Sequence, residues 1–234
     1  MLRSYLVTAP LIILATVVMG SLSVAGSLVD RSGRFQHACA RRWSNFILRV
    51  SGIRCSVDGL DHVSPSGKYV ICANHQSQMD IPVLLATFPF PFRFAAKKEL
   101  FRIPFLGWHL SRAGHFPIDR AHPLAAARSL ERSVETVRAG LPVVIFPEGG
   151  TSRDGRIRAF KRGAFIVSQE SGAEVIPVSI RGTRATLTPG SKRVRPGSVS
   201  VTILDPISSN LLSAAELAGK TRDTIAGNFN VTTT

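Results

Sequence analysis

The stretch Tyr69-Val70-Ile71-Cys72-Ala73-Asn74-His75-Gln76-Ser77-Gln78-Met79-Asp80 decides how this chain of 234 residues is read. Its first five residues form an unbroken apolar run, the pattern of a buried strand. Open α/β sheets place their chemistry outside the C-terminal ends of such strands, and this run leads straight into His75. Residues five apart on a helix point about 140° apart, so His75 and Asp80 do not share a helical face. The spacing predicts His75 in the loop and Asp80 in the first turn of the next helix, with Pro82 just inside it. A carboxylate so placed can accept a hydrogen bond from the imidazole, fix its tautomer and raise its basicity. Taken alone, the same residues also fit a loop histidine beside an N-capping aspartate.

Outward from this stretch, short β-like runs alternate with helical segments. Strands are predicted at residues 54–57, 69–73, 92–96, 115–118, 143–146, 175–180 and 199–204. Helices are predicted at residues 79–87, 104–111, 122–139, 161–171 and 213–226. In the third of these, Leu130, Val134 and Val137 keep helical spacing, while Arg128, Glu131, Arg132, Glu135 and Arg138 make a solvated face. The alternation predicts an α/β domain whose sheet is mostly parallel or mixed and flanked by helices. Residues 188–197 read as a basic loop between the last two strands.

Composition narrows the partners. The chain is 44% hydrophobic, enough for a sizeable core, and carries 29 Lys and Arg against 15 Asp and Glu, a net charge of +14. That balance favours an anionic partner: a phosphorylated substrate, an anionic membrane face or nucleic acid. No aromatic-basic RNA motif accompanies the charge, which argues against the last. Cys39, Cys55 and Cys72 are widely spaced, which argues against a disulfide framework or a zinc site.

Ser4 to Val29 carries no charged residue. As a helix it would be about 39 Å long, against a hydrocarbon core of about 30 Å. A spanning helix, an apolar helix lodged in one leaflet and a cleaved signal peptide all fit. Six arginines, Arg31, Arg34, Arg41, Arg42, Arg49 and Arg54, then oppose Asp30 alone, which places the remainder of the chain on the cytoplasmic side and against anionic headgroups. Residues 35–50 read as a helix with Phe35, Ala38, Trp43, Phe46, Ile47 and Val50 on one stripe. That stripe fits either a membrane interface or packing on the main domain. The predicted organisation is membrane-associated helices over residues 1–52 and a catalytic domain over residues 53–234.

Three further segments end predicted strands. Phe116-Pro117-Ile118-Asp119-Arg120 presents a guanidinium suited to bidentate phosphate binding, or a surface ion pair. Val143-Val144-Ile145-Phe146-Pro147-Glu148-Gly149-Gly150-Thr151-Ser152-Arg153 ends in glycines that permit close backbone approach. Arg153 opens a basic cluster with Arg156, Arg158, Lys161 and Arg162. Val175-Ile176-Pro177-Val178-Ser179-Ile180 carries a central proline, which predicts an edge strand or a bulge. Ser77 lacks the strained elbow of a nucleophilic serine.

In this order the four segments resemble the glycerolipid acyltransferase family, specifically the bacterial 1-acylglycerol-3-phosphate acyltransferases. The residues that carry the resemblance are Asn74-His75 with Asp80, Phe116 to Arg120, Phe146-Pro147-Glu148-Gly149 and Val175 to Val178, with Ala96 to Trp108 in between. The resemblance covers about residues 30 to 205. It implies transfer of a fatty acyl chain from acyl-CoA or acyl-carrier protein to a lysophospholipid hydroxyl, with no cofactor beyond that co-substrate and no metal. It implies His75 as general base, Asp80 as its orienting partner, Arg120 on the substrate phosphate, Glu148 and Gly149 at the glycerol-phosphate end, and Lys97 as an electrostatic aid. It further implies a membrane enzyme, of the bacterial inner membrane, among anionic lipids and without a nucleic-acid partner. One departure stands out. The family often has arginine where this chain has Thr151, which leaves Arg153 or Arg162 as substitutes, or points to another acceptor such as a lyso-ornithine lipid.

Overall fold

A computed structural model describes residues 3–30, 32–118 and 123–230. Seven strands form one sheet: β1 (Ile53–Asp58), β2 (Tyr69–Ala73), β3 (Arg93–Lys97), β4 (Phe116–Ile118), β5 (Val143–Ile145), β6 (Glu174–Arg181) and β7 (Gly197–Ile203), in the order β1-β7-β6-β2-β5-β3-β4. Every neighbouring pair is parallel except β6 and β7. The sheet is therefore mixed and mostly parallel. The antiparallel step follows from the connection: β6 and β7 are joined by a loop with one short helix, without the long crossover a parallel return needs.

The apolar run at β2 is continuous because both faces of the sheet are covered. Ile71 and Ala73 point into one core with β3, β6 and β7, under the helices Arg34–Ser51 (α2) and Asp80–Thr87 (α3). Val70 and Cys72 point into the other, under Pro123–Arg138 (α5), Gly163–Ser171 (α6) and Ala214–Asn230 (α8). The remaining helices are Ala9–Gly26 (α1), Leu106–Arg112 (α4) and Thr183–Thr186 (α7). Burial pushes the Cys72 thiol far above its usual range, as expected of a core residue.

Pro177 lies in a central strand, not at an edge: β6 has β7 on one side and β2 on the other. The proline is tolerated because it sits where the β7 ladder breaks. Leu204 N–H donates to Pro177 O, and the missing proline N–H would have completed that pair. Beyond it the facing chain carries an extra residue, since Val178 faces Ile203 but Val175 faces Ile207. The bulge is thus in the neighbouring chain. Val175, Ile176, Val178 and Ile180 are all fully buried core residues.

The helix α2 also divides differently from the predicted stripe. Cys39, Ala40, Ile47 and Leu48 are buried with Gln36, His37 and Ser44, whereas Phe35 and Phe46 face outward. Trp43 lies between, partly buried against the core. The helix packs on α3 and covers the sheet, so part of its arc that reads as polar is in fact interior.

The apolar helix extends from Ser4 through Gly26, and few of its residues are buried. Leu6, Ile13, Leu14, Val18 and Leu22 are exposed on it. Its inner side is fastened along its whole length. Val194 N–H donates to Ser4 Oγ at 3.0 Å. Trp43 Nε1–H donates to Thr16 Oγ1 at 3.0 Å. Ser23 Oγ lies 2.6 Å from His109 Nδ1 on α4. The turn that follows is held by Arg93 at the start of β3, whose Nη2 donates to Ser32 O at 3.1 Å.

Candidate active site

Because β2, β3, β4, β5 and β6 run parallel, their C-terminal ends share one edge of the sheet. His75 follows β2 at that edge, Glu148 follows β5, and Lys97 ends β3. Arg120 follows β4 in sequence, but Asp119 and Arg120 lie outside the described residues.

The helix α3 begins at Asp80, so His75 is in the preceding loop. Asp80 reaches back across that loop. Its Oδ2 accepts His75 Nδ1–H at 2.8 Å, Gln76 N–H at 2.8 Å and Ser77 N–H at 3.0 Å. The carboxylate is fully buried. An ionised carboxylate only accepts, so its position beside Nδ1 assigns the proton to that nitrogen and leaves a lone pair on Nε2. The ring stacks on Phe146, with centroids 4.0 Å apart and planes at 18°. Thr151 Oγ1 is 3.3 Å from Nε2. The imidazole side chain is 13% exposed.

Glu148 supports the same residue from behind. Its Oε1 accepts His75 backbone N–H at 2.8 Å, and its Oε2 accepts Arg158 N–H at 3.1 Å and Arg158 Nε–H at 3.5 Å. Its side chain has no exposed surface. Ser152 N–H donates to His75 O at 2.8 Å, so both backbone groups of His75 are held by the loop after β5. Gly149 adopts φ of 75°, a left-handed conformation natural to glycine, and its N–H turns back to Phe146 O at 3.0 Å. Asn74 forms the opposite clamp: its side chain accepts Ile180 N–H at 2.7 Å and donates to Ile180 O at 2.8 Å.

Lys97 points to the rim. Its side chain is 66% exposed and its Nζ lies 3.7 Å from Glu99. Ser77 is closed to chemistry: it is buried, its hydroxyl donates to Leu187 O at 2.6 Å and it accepts Met79 N–H at 3.1 Å. Two arginines play parts that composition did not single out. Arg158 braces Glu148 and donates to Gly150 O. Arg184, on α7, donates to Ser152 O at 2.9 Å and to Arg153 O at 2.6 Å. Arg158 was visible only as one member of a basic cluster. Arg184 follows the end of β6, so the strand-end rule that located His75 could have found it.

Beside the site lies an apolar cavity among α1, α2, α3 and α4. Met19, Gly20, Ala40, Leu85 and Leu110 contribute to its wall. Phe94 connects it to the histidine: its ring stacks on Phe146 with centroids 6.3 Å apart, and Phe146 stacks on His75.

A mixed sheet covered on both faces carries a carboxylate-locked histidine at its C-terminal edge, where Nε2 can take a proton, with an apolar cavity alongside. The sequence carries the corresponding family signature, and the chain belongs to the acyltransferase family, whose model, described as Acyltransferase, matches residues 54–181. A chloroplastic 1-acyl-sn-glycerol-3-phosphate acyltransferase of Arabidopsis thaliana is 33% identical over 200 residues, covering 85% of this chain and 55% of that protein. The chain thus spans little more than half the length of that plant relative. A 1-acyl-sn-glycerol-3-phosphate acyltransferase of Saccharomyces cerevisiae is 30% identical over 94% of this chain and 75% of its own length. The crystal structure of the 1-acyl-sn-glycerophosphate acyltransferase PlsC from Thermotoga maritima has the same fold, with a TM-score of 0.83, 24% identity and coverage of 97% and 92% of the two chains.

Proposed function

We propose that this protein transfers a fatty acyl chain from acyl-CoA or acyl-carrier protein to the free hydroxyl of 1-acyl-glycerol-3-phosphate, giving phosphatidic acid. The observation that carries the mechanism is the 2.8 Å contact of His75 Nδ1 with buried Asp80, which leaves Nε2 unprotonated. The acceptor hydroxyl takes the place of Thr151 Oγ1 at Nε2. The imidazole removes its proton as the oxygen attacks the thioester carbonyl, the carbon–sulfur bond breaks, and the imidazolium protonates the departing thiolate. An ester and a thiol result, with no acyl-enzyme. The names of the relatives support the substrate class.

The apolar cavity takes the acyl chain, since a chain buried there loses apolar surface to water at about 0.8 kcal/mol per methylene. Arg120, two residues after β4 in the sequence, holds the acceptor phosphate, as the family resemblance implies, and Lys97 adds positive charge at the rim. Glu148 acts differently from that resemblance. With both oxygens taken by protein donors and no exposed surface, it is a positioning residue that fixes the main chain of His75.

The apolar helix lies in one leaflet with the catalytic body on the cytoplasmic face of the membrane, the inner membrane of a bacterium. The three hydrogen bonds along its inner side support this, because a helix fastened to the body from Ser4 to Ser23 does not cross the bilayer free of it. Threonine at position 151 favours a second acceptor, a different lyso-lipid such as lyso-ornithine lipid.

The deciding assay uses membranes from cells that express the protein, lysophosphatidic acid and a labelled acyl-CoA, repeated with His75→Ala. Labelled phosphatidic acid is expected from the first and a loss of at least about 100-fold from the second. An alanine variant of full activity would refute the mechanism, and activity on lyso-ornithine lipid alone would select the second acceptor.

A further inference from the structure

A second concentration of positive charge lies away from His75. A groove along α2 is lined by Arg34, His37, Arg41 and Arg42, with Pro65, Pro89 and Pro91 forming its other wall and no acidic residue in its lining. Pro65 precedes β2, and Pro89 and Pro91 precede β3. The groove is therefore at the N-terminal edge of the parallel strands, opposite the edge that carries His75.

Two of its nitrogens are buried without a hydrogen-bonding partner among the described residues: His37 Nε2 and Arg41 Nε. His37 as a whole is only 5% exposed. Arg41 uses Nη2 on Ala86 O at 3.5 Å, which leaves Nε unused. Polar nitrogens removed from water are costly unless a partner reaches them. A phosphate suits the groove, since its oxygens can accept from the guanidinium groups of the arginines that line it, Arg34 and Arg42 above all. Neighbouring side chains add an apolar requirement. Phe35 and Phe46 are exposed on the same helix, next to Arg34 and Asn45, and α1 packs along α2 with Leu14, Val18 and Leu22 outward.

We propose that this groove binds the phosphate of an anionic phospholipid, whose acyl chains lie along the exposed aromatic and aliphatic side chains of α2 and α1. The phosphate chemistry stands on the groove itself; the lipid source rests on the bilayer placement proposed above. The site is separate from acyl transfer and holds the enzyme against anionic lipid.

The full chain in a nonionic detergent is titrated with dihexanoyl-phosphatidylglycerol, dihexanoyl-phosphatidylcholine and inorganic phosphate, following tryptophan fluorescence. Arg34→Gln with Arg42→Gln removes two exposed charges without touching the core, and Arg41→Gln is the companion variant. Saturable binding of the anionic lipid is expected. It should weaken at least about tenfold in the double variant, by loss of two charge-assisted contacts, and be unchanged in His75→Ala. Acyl transfer in detergent by the double variant should match the unaltered protein. Equal affinity for the zwitterionic lipid, or undiminished binding in the double variant, overturns the site. Inorganic phosphate that binds as tightly as the lipid overturns the lipid assignment. An unaltered protein that binds the anionic lipid yet transfers no acyl chain refutes the catalytic reading and leaves the groove supported.

Discussion

Asp80 Oδ2 lies 2.8 Å from His75 Nδ1 while also holding the backbone N–H groups of Gln76 and Ser77. One oxygen thus shapes the loop and sets the tautomer. Asp80→Asn can turn an amide N–H toward Nδ1, which moves the ring proton to Nε2 and removes the base. The expected result is a fall in kcat of about 100- to 10,000-fold with acceptor KM nearly unchanged. Steady-state kinetics over a range of acceptor concentrations measures both, and a variant within threefold of the parent kcat contradicts the assignment.

Glu148 holds the backbone of His75, so Glu148→Gln should lower kcat while leaving acceptor KM within about twofold. A substrate-binding role predicts the reverse, a raised KM with kcat preserved. Raised KM alone would return Glu148 to the acceptor site.

Ser77 Oγ is spent on Leu187 O and Met79 N–H. Ser77→Ala should lower stability by about 1–3 kcal/mol through the carbonyl and amide left unpaired. Acyl transfer by the folded variant should persist. Denaturant unfolding and a single-turnover assay separate the two effects, and abolished transfer by a folded protein would revive a serine mechanism.

Ala40 is in the wall of the apolar cavity. Ala40→Phe fills part of it, at an overpacking cost of about 1–3 kcal/mol. Donors with long acyl chains should suffer more than donors with short ones. An unchanged ratio of long- to short-chain rates would show that the chain lies elsewhere.

Burial and the nearby Arg93 hold His37 and His109 down at about 4, and burial pushes His115 well below its usual range. Arg41 also bears on His37, and the histidines disfavour one another's charge. In the unfolded chain these imidazoles titrate at about 6.5. Between there and about 4 the unfolded state binds protons that the folded state refuses, so stability falls as pH falls. It is fully present above the unfolded value. Thermal unfolding followed from pH 7.5 to 5 should show a declining Tm, with a shallower decline for His109→Gln. A flat profile would contradict it.

The strands were legible because both sheet faces are covered, which makes the inner strands nearly continuous apolar runs; β2 has the predicted limits and the others moved by a residue or two. The step from His75 to Asp80 was equally local, since the partners are five residues apart. What sequence could not display is contact across long separations. Glu148 reaches the His75 amide over 73 residues, and Thr151 reaches its ring over 76. Pro177 misled for a related reason: its central place depends on β7, and the chain after β7 supplies the bulge. On α2 the buried Gln36, His37 and Ser44 hid the true interior face from a purely hydrophobic count.

The fastening of α1 to the body by Ser4, Thr16 and Ser23 has a kinetic consequence. These bonds tie anchor to catalyst, so on the proposed bilayer placement the mouth of the site stays at one height above the lipid and searches in two dimensions. Its rate then follows the mole fraction of acceptor in the surface. Adding inert lipid at constant total acceptor slows the enzyme by surface dilution, while changing the volume of buffer around the same vesicles does not.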